Sequence, residues 1–155
     1  MKEYIAVSAC LIGINTKYTG GNNYNSKIEE LIKDKTVLPI CPEVFGGLSI
    51  PRDPAEENSE GIFYTISGKD VTKSFYVGAI NTIKFLKSYD CKTVILKNGS
   101  PSCGKYSYDG SFKNKKIDRM GLTSRMLKEE GFNLIYIDWW RQKNLLLLRY
   151  SRLLQ

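Results

Sequence analysis

The residues with the clearest chemical potential are the cysteines, of which the chain has four, beside no histidine at all. Without histidine, Cys–His dyads and histidine-ligated zinc are excluded, and acid–base chemistry falls to Glu, Asp, Lys, Tyr or water. Three thiols, those of Cys10, Cys41 and Cys103, lie far apart in the sequence. If they converge, thiolates without histidine suit a soft metal centre.

Several kinds of site could use such thiols. A closed zinc site needs four ligands, usually with local C-x-x-C pairs, and the chain has no such pair. A 4Fe–4S cluster can be held by three cysteines, which leaves one iron with an open position that acts as a Lewis acid. The alternative is that each cysteine is a small buried hydrophobe.

Polar residues that could work beside a metal centre lie close to these thiols in sequence. Glu43 stands two residues beyond Cys41 in CPEVFGG and could act as a general base toward water, or be an exposed loop carboxylate. Ser100 and Ser102 flank Pro101 in SPSCG. Their hydroxyls could orient a substrate or stabilise a leaving group, although turn formation explains such serines equally well.

Further candidates for a binding site are less distinctive. Ser8 could form a wall of the site, Arg52 could bind an anionic group, and Asp109 lies in a YDG turn that could line it. Lys97 could also bind an anionic group, although we favour its interpretation as a surface charge. Three aromatic residues could stack on a planar base or simply pack in the core: Tyr18, Phe45 and Tyr108.

Alternating strands and helices must position these residues. We predict strands at 4–9, 36–40, 93–96 and 134–137, helices at 26–34, 72–88 and 122–130, and a small hairpin or edge excursion at 62–71. This alternation predicts an α/β, Rossmann-like three-layer domain with a mostly parallel sheet. Because Cys10, Cys41 and Cys103 each come after a predicted strand, they should meet at the carboxyl edge of the sheet, where ligand sites form. Cys91 precedes its strand and is expected at the opposite edge.

Length and composition favour one compact domain of 155 residues with 42% apolar residues. We assign 1–138 to the α/β domain and 139–155 to a C-terminal helical extension of it. No stretch predicts a membrane span or a signal peptide. Proteins without a signal peptide usually keep their cysteines reduced. We therefore expect a cytoplasmic protein with no membrane partner. The net charge of +7 favours an anionic substrate or nucleic acid, unless the basic runs are simply solvated faces.

The motifs VSACLIGINTKYTGG, PICPEVFGGLSIPRDPAE, GKDVT and LKNGSPSCGKYSYDGSF occur in this order between residues 4 and 137. Together they resemble a family once catalogued as a domain of unknown function, whose characterised members are thiouracil desulfidases. The resemblance implies a Rossmann-like fold and a 4Fe–4S cluster bound by Cys10, Cys41 and Cys103. It also implies catalytic roles for Glu43 and for a serine of SPSCG, for which we favour Ser100 over Ser102.

The mechanism implied by the resemblance is hydrolytic. The thiocarbonyl sulfur of a thiolated uracil coordinates the open iron, water activated by Glu43 attacks the ring carbon, and sulfur leaves onto the iron. No net electron transfer is required, and an exposed cluster of this kind is expected to be oxygen-sensitive. We see no counterpart in these residues to the companion domain that some family members carry for larger RNA substrates, so we expect a free base, nucleoside or nucleotide rather than thiolated tRNA.

Two other functions are compatible with parts of the sequence. An iron–sulfur or persulfide carrier would use the same cysteines, but it would need no general base such as Glu43. An RNA-binding module with structural cysteines would need exposed aromatics among basic residues, and only Trp139, Trp140 and Arg141 hint at that.

Overall fold

A computed structural model of the chain describes residues 2–138, so the helical extension predicted at 139–155 lies outside the described residues. The strands are β1 (Tyr4–Ser8), β2 (Thr36–Ile40), β3 (Ala55–Glu57), β4 (Phe63–Thr65), β5 (Thr93–Lys97), β6 (Ser107–Tyr108), β7 (Lys116–Ile117) and β8 (Asn133–Ile137). The α-helices are α1 (Lys27–Ile32), α2 (Pro42–Phe45), α3 (Thr72–Ser88) and α4 (Leu122–Glu129), and a 3₁₀ turn spans Ala9–Ile12.

Four of the strands form a parallel sheet in the order β2-β1-β5-β8. The chain crosses from β1 to β2 on one side and then returns to place β5 on the other side of β1. Such a reversal of strand order leaves a crevice between the carboxyl ends of the two central strands, here β1 and β5, and in open α/β sheets this crevice is the usual ligand site.

Helices cover both faces of this sheet, which gives the predicted three layers. On one face, Ile28 of α1 packs with Ile5, Val7 and Ile95. On the other, the long helix α3 and α4 pack against Ala6, Leu38, Val94 and Leu96 among other buried residues. The central strands are hydrophobic on both faces because both faces are covered. The predicted α/β architecture with a parallel sheet is therefore confirmed.

Two short antiparallel excursions, β3-β4 and β6-β7, extend beyond the sheet. Strand β4 lies in the excursion expected at 62–71, where Tyr64 forms an antiparallel bridge with Asp70. On its other side β4 also pairs with the preceding β3, which the sequence did not predict. Within residues 2–138, no helix is long and apolar enough to cross a membrane.

Candidate active site

A cavity of about 440 Å³ opens at the carboxyl ends of β1, β2 and β5, at the crevice that the strand order creates. Cys10, Cys41 and Cys103 all line it, so the topology brings together three thiols that are far apart in sequence. Cys91 lies at the amino end of β5 and lines a separate cavity. The predicted convergence of three cysteines and the exclusion of the fourth are both seen.

Cys10 is held by the turn that follows β1. It belongs to the 3₁₀ turn Ala9–Ile12, which ends at Gly13 in a left-handed conformation (φ +89°). The loop then folds back, and the backbone N–H of Asn23 donates to the carbonyl of Cys10 at 2.9 Å. The Asn23 side chain also lowers the pKa of the Cys10 thiol, against the larger effect of burial, which raises it. A segment predicted only as a loop is thus fixed around this sulfur.

Cys41 directly follows β2 and precedes the short helix α2, whose first residue is Pro42. This helix packs very close to α3. A Cβ placed on Gly46 would lie only 2.0 Å from the carbonyl oxygen of Ser74 in α3. A Cβ on Gly78 would lie 1.9 Å from the carbonyl oxygen of Pro42. Both glycines are therefore needed for the contact that fixes the CPE turn at the cavity.

Cys103 is buried at 7% exposure in the loop after β5, which is braced by its own polar side chains. The Asn98 amide oxygen accepts N–H bonds from Gly99 at 3.0 Å and from Lys105 at 2.8 Å. The Ser100 hydroxyl oxygen accepts the N–H groups of Ser102 and Cys103, each at 3.1 Å. This network sets the position of the third thiol.

Burial raises the pKa of the Cys10, Cys41 and Cys103 thiols above their usual range. For Cys103 the thiolates of Cys41 and Cys10 would add to this effect by repulsion. Three ionised thiols therefore need a compensating positive centre in the cavity.

Lys97, at the carboxyl end of β5, supplies one such positive charge. Burial lowers the pKa of its ammonium, while Cys10 and Cys103 act in the opposite direction through their charges. The structure places Lys97 in the lining of the cavity, so its interpretation as a surface charge was wrong. Lysine at the end of an apolar strand beside a ligand-bearing loop was the signal that could have indicated this.

Glu43 and Arg52 form an ion pair in the cavity wall, with side-chain exposures of 15% and 9%. Both Nε and Nη2 of Arg52 lie 2.6 Å from Oε2 of Glu43. The same guanidinium donates to the carbonyls of Thr16 at 3.1 Å and Ser49 at 3.3 Å. It thereby connects the loop after β1 to the loop after β2 and fixes one carboxylate oxygen of Glu43.

The two serines of SPSCG differ in where their hydroxyls point. The Ser102 hydroxyl is buried and pairs with the Thr123 hydroxyl of α4 at 2.9 Å. The Ser100 oxygen accepts two backbone N–H groups, and this arrangement leaves its own proton for another acceptor. Both residues line the cavity, but the geometry favours Ser100 as the one that meets a ligand.

The remaining predicted residues divide between the cavity and its surroundings. Ser8 lines the cavity, and its hydroxyl oxygen accepts the N–H of Lys97 at 3.0 Å. The Asp109 carboxylate is used within its own turn, where it accepts the N–H of Ser111 at 3.0 Å, and the residue is not among those of 2–138 that line the cavity. Tyr18 and Tyr108 line the cavity, whereas Phe45 packs edge-on against Phe85 with ring centroids 5.8 Å apart.

The donor set fits a polynuclear centre better than a single metal ion. In the described part of the chain, no three Cys, Asp or Glu side chains are grouped so that they could hold one ion. Thiolates of a cluster bind different irons, so they need only surround a common space. The thiols of three different loops, the cavity that they line and the Lys97 charge meet that requirement.

Comparison with known proteins relates the whole described chain to one family. A family model described as 2-thiouracil desulfurase matches residues 5–138. The uncharacterized protein YbbK of Bacillus subtilis (strain 168) is 40% identical over 141 residues, which cover 84% of this chain and 93% of YbbK. A solved structure of the [4Fe-4S]-dependent thiouracil desulfidase TudS superposes with a TM-score of 0.80 at 35% identity, covering 97% of this chain and 99% of TudS.

Proposed function

Because the chain belongs to the 2-thiouracil desulfurase family, we propose that it is a hydrolytic desulfidase. Its substrate is a small thiolated uracil base, nucleoside or nucleotide. Water replaces the thiocarbonyl sulfur by oxygen, and hydrogen sulfide is released without net electron transfer. The observation that carries this proposal is one cavity in which three thiols adjoin a carboxylate fixed by arginine.

Cys10, Cys41 and Cys103 are the proposed ligands of a 4Fe–4S cluster. When bound, the cluster supplies an iron without a protein thiolate, which acts as a Lewis acid and accepts the departing sulfur. The similarity to a [4Fe-4S]-dependent desulfidase supports this assignment, as does the donor set of the cavity. Cysteines that must stay as thiolates to bind iron suit a reducing compartment, so we propose a cytoplasmic enzyme.

Glu43 is the proposed general base. The contacts of Arg52 engage Oε2, so the other oxygen can accept a proton from a water molecule that attacks the ring carbon. A cluster carrier would need neither group in this position.

Ser100 is the proposed hydroxyl partner in catalysis, with Ser102 as the alternative. The Ser100 oxygen is held by two N–H donors, which fixes the direction in which its proton can be donated. Such a proton can stabilise negative charge that develops on the substrate. Ser8, Arg52 and Asp109 remain the proposed substrate-contacting residues, and only the first two line the cavity within residues 2–138.

The test is turnover of 2-thiouracil by anaerobically reconstituted protein, with sulfide and uracil both quantified. We expect both products in the wild type, and a kcat about 10²–10⁴-fold lower in Glu43→Gln with its iron content unchanged. Glu30→Gln, which neutralises an exposed carboxylate of α1, is the matched control and should retain full activity. Iron-loaded wild-type protein that yields no uracil would contradict the proposal and favour a carrier.

A further inference from the structure

Phe112 stands out among the residues that line the cavity because of its backbone. In residues 2–138, four non-glycine residues have positive φ: Asp34, Asp90, Asn114 and Phe112. Aspartate and asparagine tolerate the left-handed region, whereas a bulky aromatic residue there is an outlier. At φ +59°, Phe112 is therefore held in a conformation that its own side chain disfavours.

The carboxylate of Glu56 in β3 holds Phe112 in this conformation through hydrogen bonds. Oε2 of Glu56 accepts the N–H groups of Gly110 and Phe112, each at 3.0 Å. Gly110 in turn lies so close to β3 that a Cβ on it would be 2.9 Å from the carbonyl oxygen of Glu57. Arg119 donates to three backbone carbonyls of the same region, those of Glu57, Asn58 and Tyr108.

Strain of this kind persists only where the surroundings over-determine it, and it concentrates at sites with a function. The turn between β6 and β7 is over-determined in this sense, and Phe112 and Asn114 in it line the cavity that contains the thiols. Tyr18 and Tyr108 line it too, so the cavity combines ionisable groups with aromatic rings. Planar heteroaromatic rings stack on such side chains regardless of their exact substituents.

We propose that Phe112 stacks on the pyrimidine ring of the substrate and that Glu56 is the positioning residue that holds Phe112 in place. This inference rests on the proposed desulfidase function, because it names how that substrate is recognised. It makes Phe112 a determinant of specificity for a flat aromatic ring over an open-chain thiocarbonyl such as thiourea.

The test compares Phe112→Ala with Phe112→Gly in the reconstituted protein. Both remove the ring, so both should raise the Kd for uracil and the KM for 2-thiouracil at least about tenfold, the scale at which base–aromatic stacking is lost. Their kcat should change less than about threefold, because the reacting groups are untouched. Phe112→Tyr should retain wild-type affinity.

Stability supplies an independent readout. Phe112→Gly should melt at a higher temperature than Phe112→Ala, because alanine keeps the Cβ that the left-handed conformation penalises. Asp34→Gly, at φ +62° in a turn that does not line the cavity within residues 2–138, should leave KM and Kd unchanged. A lower melting temperature for Phe112→Gly than for Phe112→Ala would overturn the claim of strain.

Glu56→Ala tests the positioning role. Glu56→Ala should raise the KM for 2-thiouracil as Phe112→Ala does. The double variant should have the same KM as Phe112→Ala alone, because both changes remove the same stacking interaction. Additive increases of KM in the double variant would overturn the positioning role of Glu56. An unchanged Kd for uracil in both Phe112→Ala and Phe112→Gly would overturn the stacking role of Phe112. Binding of uracil is measured without turnover, so this failure is distinct from an inactive wild type, which would refute the desulfidase function instead.

Discussion

The two edges of the parallel sheet each carry a buried cysteine, but the surroundings of the two thiols differ. Cys103, at 7% exposure on the carboxyl edge, adjoins two further thiols, Lys97 and Glu43 around a cavity of about 440 Å³. Cys91, at 2% exposure on the amino edge, points its sulfur at the carbonyls of Tyr4 and Thr93, at 3.7 and 3.4 Å. Its neighbouring cavity holds about 190 Å³.

This difference shows that burial alone does not make a thiol functional. The order of the strands decides which thiols share a site. The reversal between β1 and β5 opens a crevice at the carboxyl edge, and loops from three strands converge there. At the amino edge the short turns leave a cysteine that packs as a hydrophobe. Substitutions in matched pairs, one at each edge, can break or sharpen this contrast.

The largest expected effect concerns the two ion pairs. Arg52 with Glu43 lies on the carboxyl edge at 9% and 15% exposure, whereas Lys87 with Glu130 lies on the amino edge at 56% and 43%. We expect Arg52→Ala to lower kcat for 2-thiouracil about 100-fold, since a freed base leaves its productive position. Lys87→Ala should leave kcat unchanged and should change the free energy of unfolding by no more than about 0.5 kcal/mol.

Steady-state kinetics on both variants, with Arg52→Lys as the conservative control, separate two roles. Arg52→Lys keeps the charge but loses the two-nitrogen contact, so it should restore only part of kcat. Unchanged kcat in Arg52→Ala would contradict the positioning of Glu43. A rise in KM beside the fall in kcat is expected from loss of the proposed contact between Arg52 and the substrate.

The lysines at the two edges provide the next comparison. Lys97 faces the thiols, so Lys97→Met should weaken retention of iron about tenfold, a scale typical of residues that support metal ligands. Lys92→Met, which removes an exposed lysine that pairs with Asp90, should not change it. The rate of iron release to a chelator measures retention in both variants. Lys97→Arg keeps the positive charge and should retain iron as the wild type does. Equal release from wild type and Lys97→Met would contradict the role of this charge.

The smallest effect is expected for Cys91. Cys91→Ala removes one buried sulfur from the core and should cost about 1 kcal/mol in the free energy of unfolding. Iron content and kcat should equal those of the wild type. Denaturant unfolding together with iron analysis tests this, and loss of iron from Cys91→Ala would show that the amino edge takes part in the site.

The sequence allowed the α/β class and the convergence of three cysteines to be predicted, because both depend on the order of local elements. Apolar runs mark the strands, and parallel strands place their carboxyl ends together, so residues that follow them share an edge. The separation of Cys91 followed from the same rule.

Other features depend on contacts that the sequence does not reveal. The ion pair of Arg52 joins two loops whose approach is tertiary, and the choice between Ser100 and Ser102 depends on Thr123 in a later helix. For Lys97 the surface-charge interpretation was preferred because lysine is rarely buried. The strained backbone of Phe112 arises from the carboxylate of Glu56, 56 positions earlier in the chain.

Iron and sulfide content per chain, measured after anaerobic reconstitution of Cys10→Ser, Cys41→Ser and Cys103→Ser, tests the central claim most directly. We expect about four irons and four sulfides in the wild type and a loss of most of both in each single variant. Full retention of the cluster after any one of these replacements would contradict the assignment of the three thiols to one centre.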